Sequence, residues 1–235
     1  RSITHKGSTS FPGFSAAYQA VADGDYVEWL FTRDIGADIG NPYNGGNVEA
    51  PKTNDSIINP KVTAKDGTAS ASVSGANMNK AIEDAKKNDS VAIVIEPKIT
   101  GKANKVSVEL PKASLSNMAS GTDADLRIVT PSGSVTIPHD ALASVASQAA
   151  GDTITIVVES VETKTLTAEQ QKAVGNNLVF DISILSGDKL ISSFGGKSIT
   201  ISLPYTLKTG ETAAGVTVWY LSDAGKLERI SCKYD

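Results

Sequence analysis

The stretch SVTIPHDALASVA, Ser134 to Ala146, sets His139 beside Asp140 directly after an apolar strand. A histidine with a carboxylate to orient it is the smallest kit for general acid–base chemistry. His5, the chain's other imidazole, falls in an N-terminus expected to fray, so a His-centred triad and a three-histidine metal site are both nearly excluded. Glu109, Asp123, Asp125, Glu159 and Glu162 are the next candidates, because two suitably spaced carboxyls hydrolyse glycosidic bonds. Asp123 and Asp125 are also calcium-ligand types, but without the Gly-turn loop that such sites use. Trp29, and Trp219 beside Tyr220, offer flat rings on which a sugar can stack. Nucleophile-elbow, zinc-helix, phosphate-loop, dinucleotide and EF-hand patterns do not occur. No residue is therefore assigned a catalytic, cofactor-binding or metal role.

The elements that must position these residues decide between chemistry and architecture. Ser107–Ala119, SVELPKASLSNMA, aligns without a gap onto Ser134–Ala146 at an offset of 27, with five of thirteen positions identical. Each copy reads as a strand, a proline and a short helix. Proline ends a ladder because it lacks an N–H, while its fixed φ suits a first helical turn. Leu115 and Met118 in one copy, and Leu142 and Val145 in the other, supply the inward faces. His139 and Asp140 fall where the first copy has Lys112 and Ala113, so the repeat does not require the pair. Neighbouring helical residues also point about 100° apart, a poor geometry for one to orient the other. Asp140 in a first helical turn is favourable against the helix dipole alone. Architecture is the preferred reading of His139–Asp140.

Strand patterns dominate the remainder. Asp66-Gly67 lies between two alternating runs and signals a hairpin. Met78, Ala81, Ile82 and Ala85 fall at i, i+3, i+4 and i+7, an amphipathic helix. SVAIVIEP reads as a strand in the interior of a sheet, and KVSVELP, DLRIVTP, SVTIP, DTITIVVESVE, LVFDISIL, SITISLP, GVTVWYL and KLERISCKY as further strands. Thr167 and Gln170 form a capping-box pattern opening a short helix that Gly175 stops. The expected fold is mainly β with short helices, β-sandwich-like, with α+β open for the middle segment. In GVTVWYL core packing is the favoured reading of Trp219, as it is for Trp29 in YVEWLFT; glycan contact is the alternative for both.

Residues 1–43 hold seven of the 13 aromatics and carry the strand YVEWLFT, with a short helix expected before it. Residues 44–60, rich in Asn, Gly and Pro, read as a linker. Residues 61–235 form a β-rich module, with 61–103 and 104–235 as candidate subdomains. Basic and acidic side chains number 3 and 5 in residues 1–43, 8 and 7 in 44–103, and 11 and 14 in 104–235. No segment is basic, so a nucleic-acid partner has no electrostatic footprint. A single cysteine, Cys232, cannot close an internal disulfide. No apolar run is long enough to span a bilayer. The start at RSITHKG, without an initiator Met, reads as a piece of a longer polypeptide.

Two resemblances rest on quoted residues. DGDYVEWLFTRDIGADIGN resembles the end of the transcobalamin-C-terminal-like domain of bacterial surface proteins, without its upstream strands. From Pro60 onward, VSVELPKASL, GSVTIPHDAL, FDISIL, SITISLPYTL and VTVWYLSDAGKLERISCKYD resemble the β-rich module that precedes S-layer homology repeats in Gram-positive, Clostridium-like surface proteins. The second resemblance implies a non-catalytic, extracellular spacer of a cell-wall-anchored, S-layer-type protein. Its partners would be neighbouring domains of the same polypeptide, with cell-wall or other polysaccharide as a further candidate, and no cofactor is implied. The competing expectation is a carbohydrate-binding accessory module of a surface glycoside hydrolase.

Overall fold

The computed structural model describes residues 2–5, 8–10, 26–28 and 55–234, in two compact units, Arg1–Thr53 and Asn54–Asp235. In the first unit, β1 (Ser2–His5) lies between β2 (Ser8–Ser10) and β3 (Tyr26–Glu28), antiparallel to both. Tyr26–Glu28 is the start of the strand expected at YVEWLFT. Trp29 and the expected helix before that strand lie outside the described residues.

The second unit is mainly β with short helices, and its order follows the hydrophobic pattern closely. β4 (Ser56–Ile58) leads into the hairpin β5 (Val62–Lys65) and β6 (Thr68–Ser72). Asp66 and Gly67 turn that hairpin with φ of 50° and 76°, the left-handed pair that a two-residue loop demands. α1 (Gly75–Asn88) follows, capped by Ser74, whose Oγ accepts the Asn77 N–H at 3.2 Å. Its buried residues are Met78, Ala81, Ile82 and Ala85, the stripe the spacing predicts. Next come β7 (Ala92–Ile95), β8 (Lys105–Pro111), α2 (Lys112–Gly121) and β9 (Asp125–Thr130). The second repeat copy then gives β10 (Gly133–Ile137), α3 (His139–Gln148) and β11 (Thr153–Val161). α4 (Ala168–Val174) opens on the Thr167–Gln170 capping box and closes at Gly175. The chain ends with β12 (Val179–Ser186), β13 (Lys189–Leu190), β14 (Thr200–Ser202), β15 (Val218–Leu221) and β16 (Leu227–Ile230).

Two sheets result, in the orders β14-β10-β9-β7-β4 and β13-β12-β11-β8-β6-β5. Three successive strand–helix–strand steps, β6-α1-β7, β8-α2-β9 and β10-α3-β11, each carry the chain from one sheet to the other. One apolar core joins them. It takes Val106, Val108 and Leu110 from β8, and Ile154, Ile156 and Val158 from β11. Leu126 and Ile128 come from β9, and Val135 and Ile137 from β10. Leu115, Met118, Leu142 and Val145 are fully buried from the helices. Burying each such side chain is worth about 1.5–3 kcal/mol.

The structure differs from the sequence-based expectation in three places. Ser56–Ile58, inside the stretch read as a linker, is a strand parallel to β7, and Ile58 reaches the core. The six-stranded sheet joins β5 and β6 to β8 and β11, so the core runs through position 103 without a subdomain break. And Trp219, for which core packing was favoured, is 50% exposed. It lies on a separate two-stranded ribbon, β15-β16, in a stretch from Ser192 to Tyr234 that contains no buried residue.

Candidate functional site

His139 stands at the junction of the two repeat copies. Its backbone N–H, the first of α3, donates to Asp125 Oδ1 at 2.8 Å. Its ring Nε2 lies 3.2 Å from the Ala119 carbonyl near the end of α2, so that nitrogen carries the proton. Asp125 begins β9 and belongs to the first copy, 14 residues away. A helix start leaves its first N–H groups without partners, and a carboxylate there also meets the positive end of the helix dipole.

The first copy is treated in the same way by the second. The backbone N–H of Lys112, the equivalent of His139, donates to the Asp152 carbonyl at 2.8 Å. The Lys112 ammonium donates to the Ala149 carbonyl, just past the end of α3, at 3.1 Å. α2 and α3 therefore run antiparallel, each beginning on a group from the other copy and sending its first side chain to the other's end. Lys112 and His139 differ chemically yet fill one role, since each supplies an N–H donor. The strands that follow are displaced by one residue. Leu110 and Ile137, 27 apart, pair with Ile154 and Leu126, which are 28 apart.

Asp140 points away from this junction, its carboxylate 2.5 Å from Lys197 Nζ with both side chains half exposed. His139 and Asp140 thus have separate partners and form no dyad. The groove between the helices, about 330 Å³, is lined by Lys112, Ser116, Ala119, Ala143, Ala146 and their neighbours. Positions 116, 119 and 120 have their counterparts in 143, 146 and 147, and these small residues let the two helices approach closely.

The ladders keep the candidates Glu109 and Glu159 apart, and set Glu159 opposite Asp181 of β12. In the β8–β11 ladder Glu109 faces Thr155, while Glu159 faces Lys105. Four positions along a strand are about 13 Å, beyond the ~5–9.5 Å that glycosidases use. Glu159 pairs with Lys105 at 3.1 Å, Glu162 with Lys164 at 2.5 Å, and Asp123 is exposed. Among the described residues, no group of three or more His, Cys, Asp or Glu side chains is placed to hold a metal.

The aromatic candidates fare differently. Trp219 and Tyr220 are 50% and 57% exposed, because both faces of a two-stranded ribbon stay open. Alternation places Trp219 with Arg229 on one face, and Tyr220 with Glu228 on the other. The Trp219 indole N–H donates to Thr217 Oγ1 at 3.1 Å. The ribbon's turn is seated against α4, where Gln170 Nε2 donates to the Ser222 carbonyl at 3.4 Å. Beside the ribbon, the Tyr205 hydroxyl and the Lys208 N–H both donate to Glu211 Oε2 at 2.8 Å. Those bonds, the Lys208 N–H first, hold the Glu211 carboxyl below its ordinary value, and the same contact raises Tyr205. Cys232 is exposed on an open concavity of about 560 Å³ at the ribbon's base. Sequence reasoning aligned Lys112 with His139 but missed the donor role they share, and it missed Asp125 as a helix cap. The offset of 27 held the signal for Lys112, and nothing local held one for Asp125. No family model, no curated protein and no solved structure matches this chain.

Proposed function

We propose that this chain is a non-catalytic structural spacer of an extracellular, cell-wall-associated S-layer-type surface protein. The observation that carries the reading is how the most reactive-looking residues are used. His139, Asp125 and Lys112 tie two repeat copies together, and Asp140 ties the second copy to Lys197. The resemblance of the strand–Pro–helix segments to modules preceding S-layer homology repeats supports an extracellular location. Antibody raised against the chain should label intact, unpermeabilised cells that express it, and protease shaving should remove the signal. Labelling that requires permeabilisation would refute the location. Polysaccharide or peptide hydrolysis lost on substitution of a carboxylate would refute the non-catalytic reading.

The exposed Trp219 and Tyr220 favour a second reading, a carbohydrate-binding accessory module. Trp219 fluorescence should then respond to a cell-wall or plant polysaccharide, and Trp219→Ala should abolish binding while the thermal melt is preserved. An array of such glycans with no binder would retire it.

A further inference from the structure

The chain enters the five-stranded sheet through β4 and makes its last pairing with it through β14, and these are the sheet's two edges. β4 is parallel to β7, and β7 to β9, while β10 is antiparallel to both β9 and β14. β4 and β14 therefore point the same way. The chain arrives at one end of this sheet, before Ser56, and departs at the opposite end, after Ser202. Tension between those points runs along the strands, across bonds that link strand to strand. All the bonds of a pairing then carry load together. The ribbon is arranged oppositely. β15 and β16 are antiparallel and joined by the turn at Ser222–Lys226, so Val218 and Ile230 share its open end. A pull there opens one rung at a time, in a stretch where nothing is buried.

We infer that the unit Asn54–Asp235 is a staged tension-bearing device: the ribbon yields first, and β4–β7 and β14–β10 then hold as shear clamps. The segment before β14 is pinned as well, by Lys197 to Asp140 and by Gln148 Nε2 donating to the Ser193 carbonyl at 2.6 Å. The β14 clamp also depends on a bare backbone at Gly133. A Cβ there would lie 2.7 Å from the Ser202 carbonyl oxygen, and the φ of +139° disfavours any other residue. The inference rests on strand directions and not on the surface-spacer reading. A weak clamp would leave the location intact, and a chain found elsewhere would leave the clamp intact.

Single-molecule stretching of the full chain tests it. Cys232, exposed and the chain's one cysteine, is the first handle, and Asn54→Cys the second. Leu203–Ser231 should lengthen at low force by up to about 100 Å, at ~3.5 Å per residue. A single main rupture should follow. In a Cys232→Ser background, moving the first handle to Asp123→Cys places it just before β9, at the same end of the sheet as the start of β4. The same β4–β7 bonds are then peeled, and the rupture force should fall at least about twofold at equal loading rate, since forced unfolding follows the barrier met along the pull. Gly133→Ala, checked for folding by its thermal melt, should lower the rupture force in the first geometry and leave the second unchanged. Equal forces in the two geometries would overturn the clamp. A first geometry without early lengthening would overturn the staging, and no effect of Gly133→Ala would overturn the part assigned to β14.

Discussion

Asp125→Ala should destabilise the second unit far more than Asp152→Ala, although the two residues sit at corresponding places in the repeat. Asp125 caps α3 through its carboxylate, at 2.8 Å from the His139 N–H, whereas Asp152 serves α2 through its backbone carbonyl. Alanine at 125 removes the acceptor and leaves a helix N–H without its partner, at a cost of about 1 kcal/mol. It also removes a negative charge from the helix start, adding about 0.3–1 kcal/mol. The sum is about 1–2 kcal/mol, which for a unit of this size lowers Tm by about 2–8 °C. Alanine at 152 keeps the carbonyl and should stay within about 0.5 kcal/mol, as for ordinary surface substitutions. Asp125→Asn keeps an acceptor but not the charge and should fall between them. Urea unfolding of the three variants, with m unchanged, measures the order directly. An Asp152→Ala loss equal to or larger than that of Asp125→Ala would refute the reciprocal-cap reasoning. A calcium-dependent rise in Tm that disappears with Asp125→Ala would instead make Asp125 a metal ligand.

Leu142→Ala, at a fully buried position of α3, should cost about 2–5 kcal/mol by calorimetry or urea unfolding. Gly225→Ala should detach the ribbon's turn from α4, because the new Cβ would lie 3.1 Å from the Glu169 backbone at a φ of +72°. Faster amide exchange confined to residues 216–231, with the five- and six-stranded sheets unaffected, is the expected result. Glu211 gives a pH dependence of definite sign. Its folded value is depressed by the Lys208 N–H and the Tyr205 hydroxyl, so its contribution is present above the unfolded carboxylate value and lost as pH falls through the folded one. NMR signals of Tyr205 and Lys208 should shift together on acidification, and Glu211→Gln should remove the transition.

The elements with a strong period were legible in the sequence. The α1 stripe, the Asp66-Gly67 hairpin, the Thr167 capping box and the strand–Pro–helix repeat all lie where local pattern puts them. β4 was hidden because three residues are too few to show alternation, and they follow an Asn-, Gly- and Pro-rich stretch. The role of Asp125 is a contact between distant positions, which no local pattern encodes. Lys112 and His139 aligned at the offset of 27, but their common role was hidden because one is a flexible ammonium and the other a ring, whereas the fold asks only for a donor. Trp219 misled because alternation tells which residues share a face, but not whether that face is covered.

The reciprocal ties between the two repeat copies bear on how such a protein can change length. In stacked-repeat proteins each unit touches only its neighbours, so units are gained and lost with small consequence. Here β8-α2-β9 and β10-α3-β11 each complete the other's helix start and helix end. Deleting one copy would strip the survivor of its cap and of a neighbouring strand in each sheet. Lineages that lengthen or shorten this protein should therefore do so by whole units, never by one copy of the internal repeat.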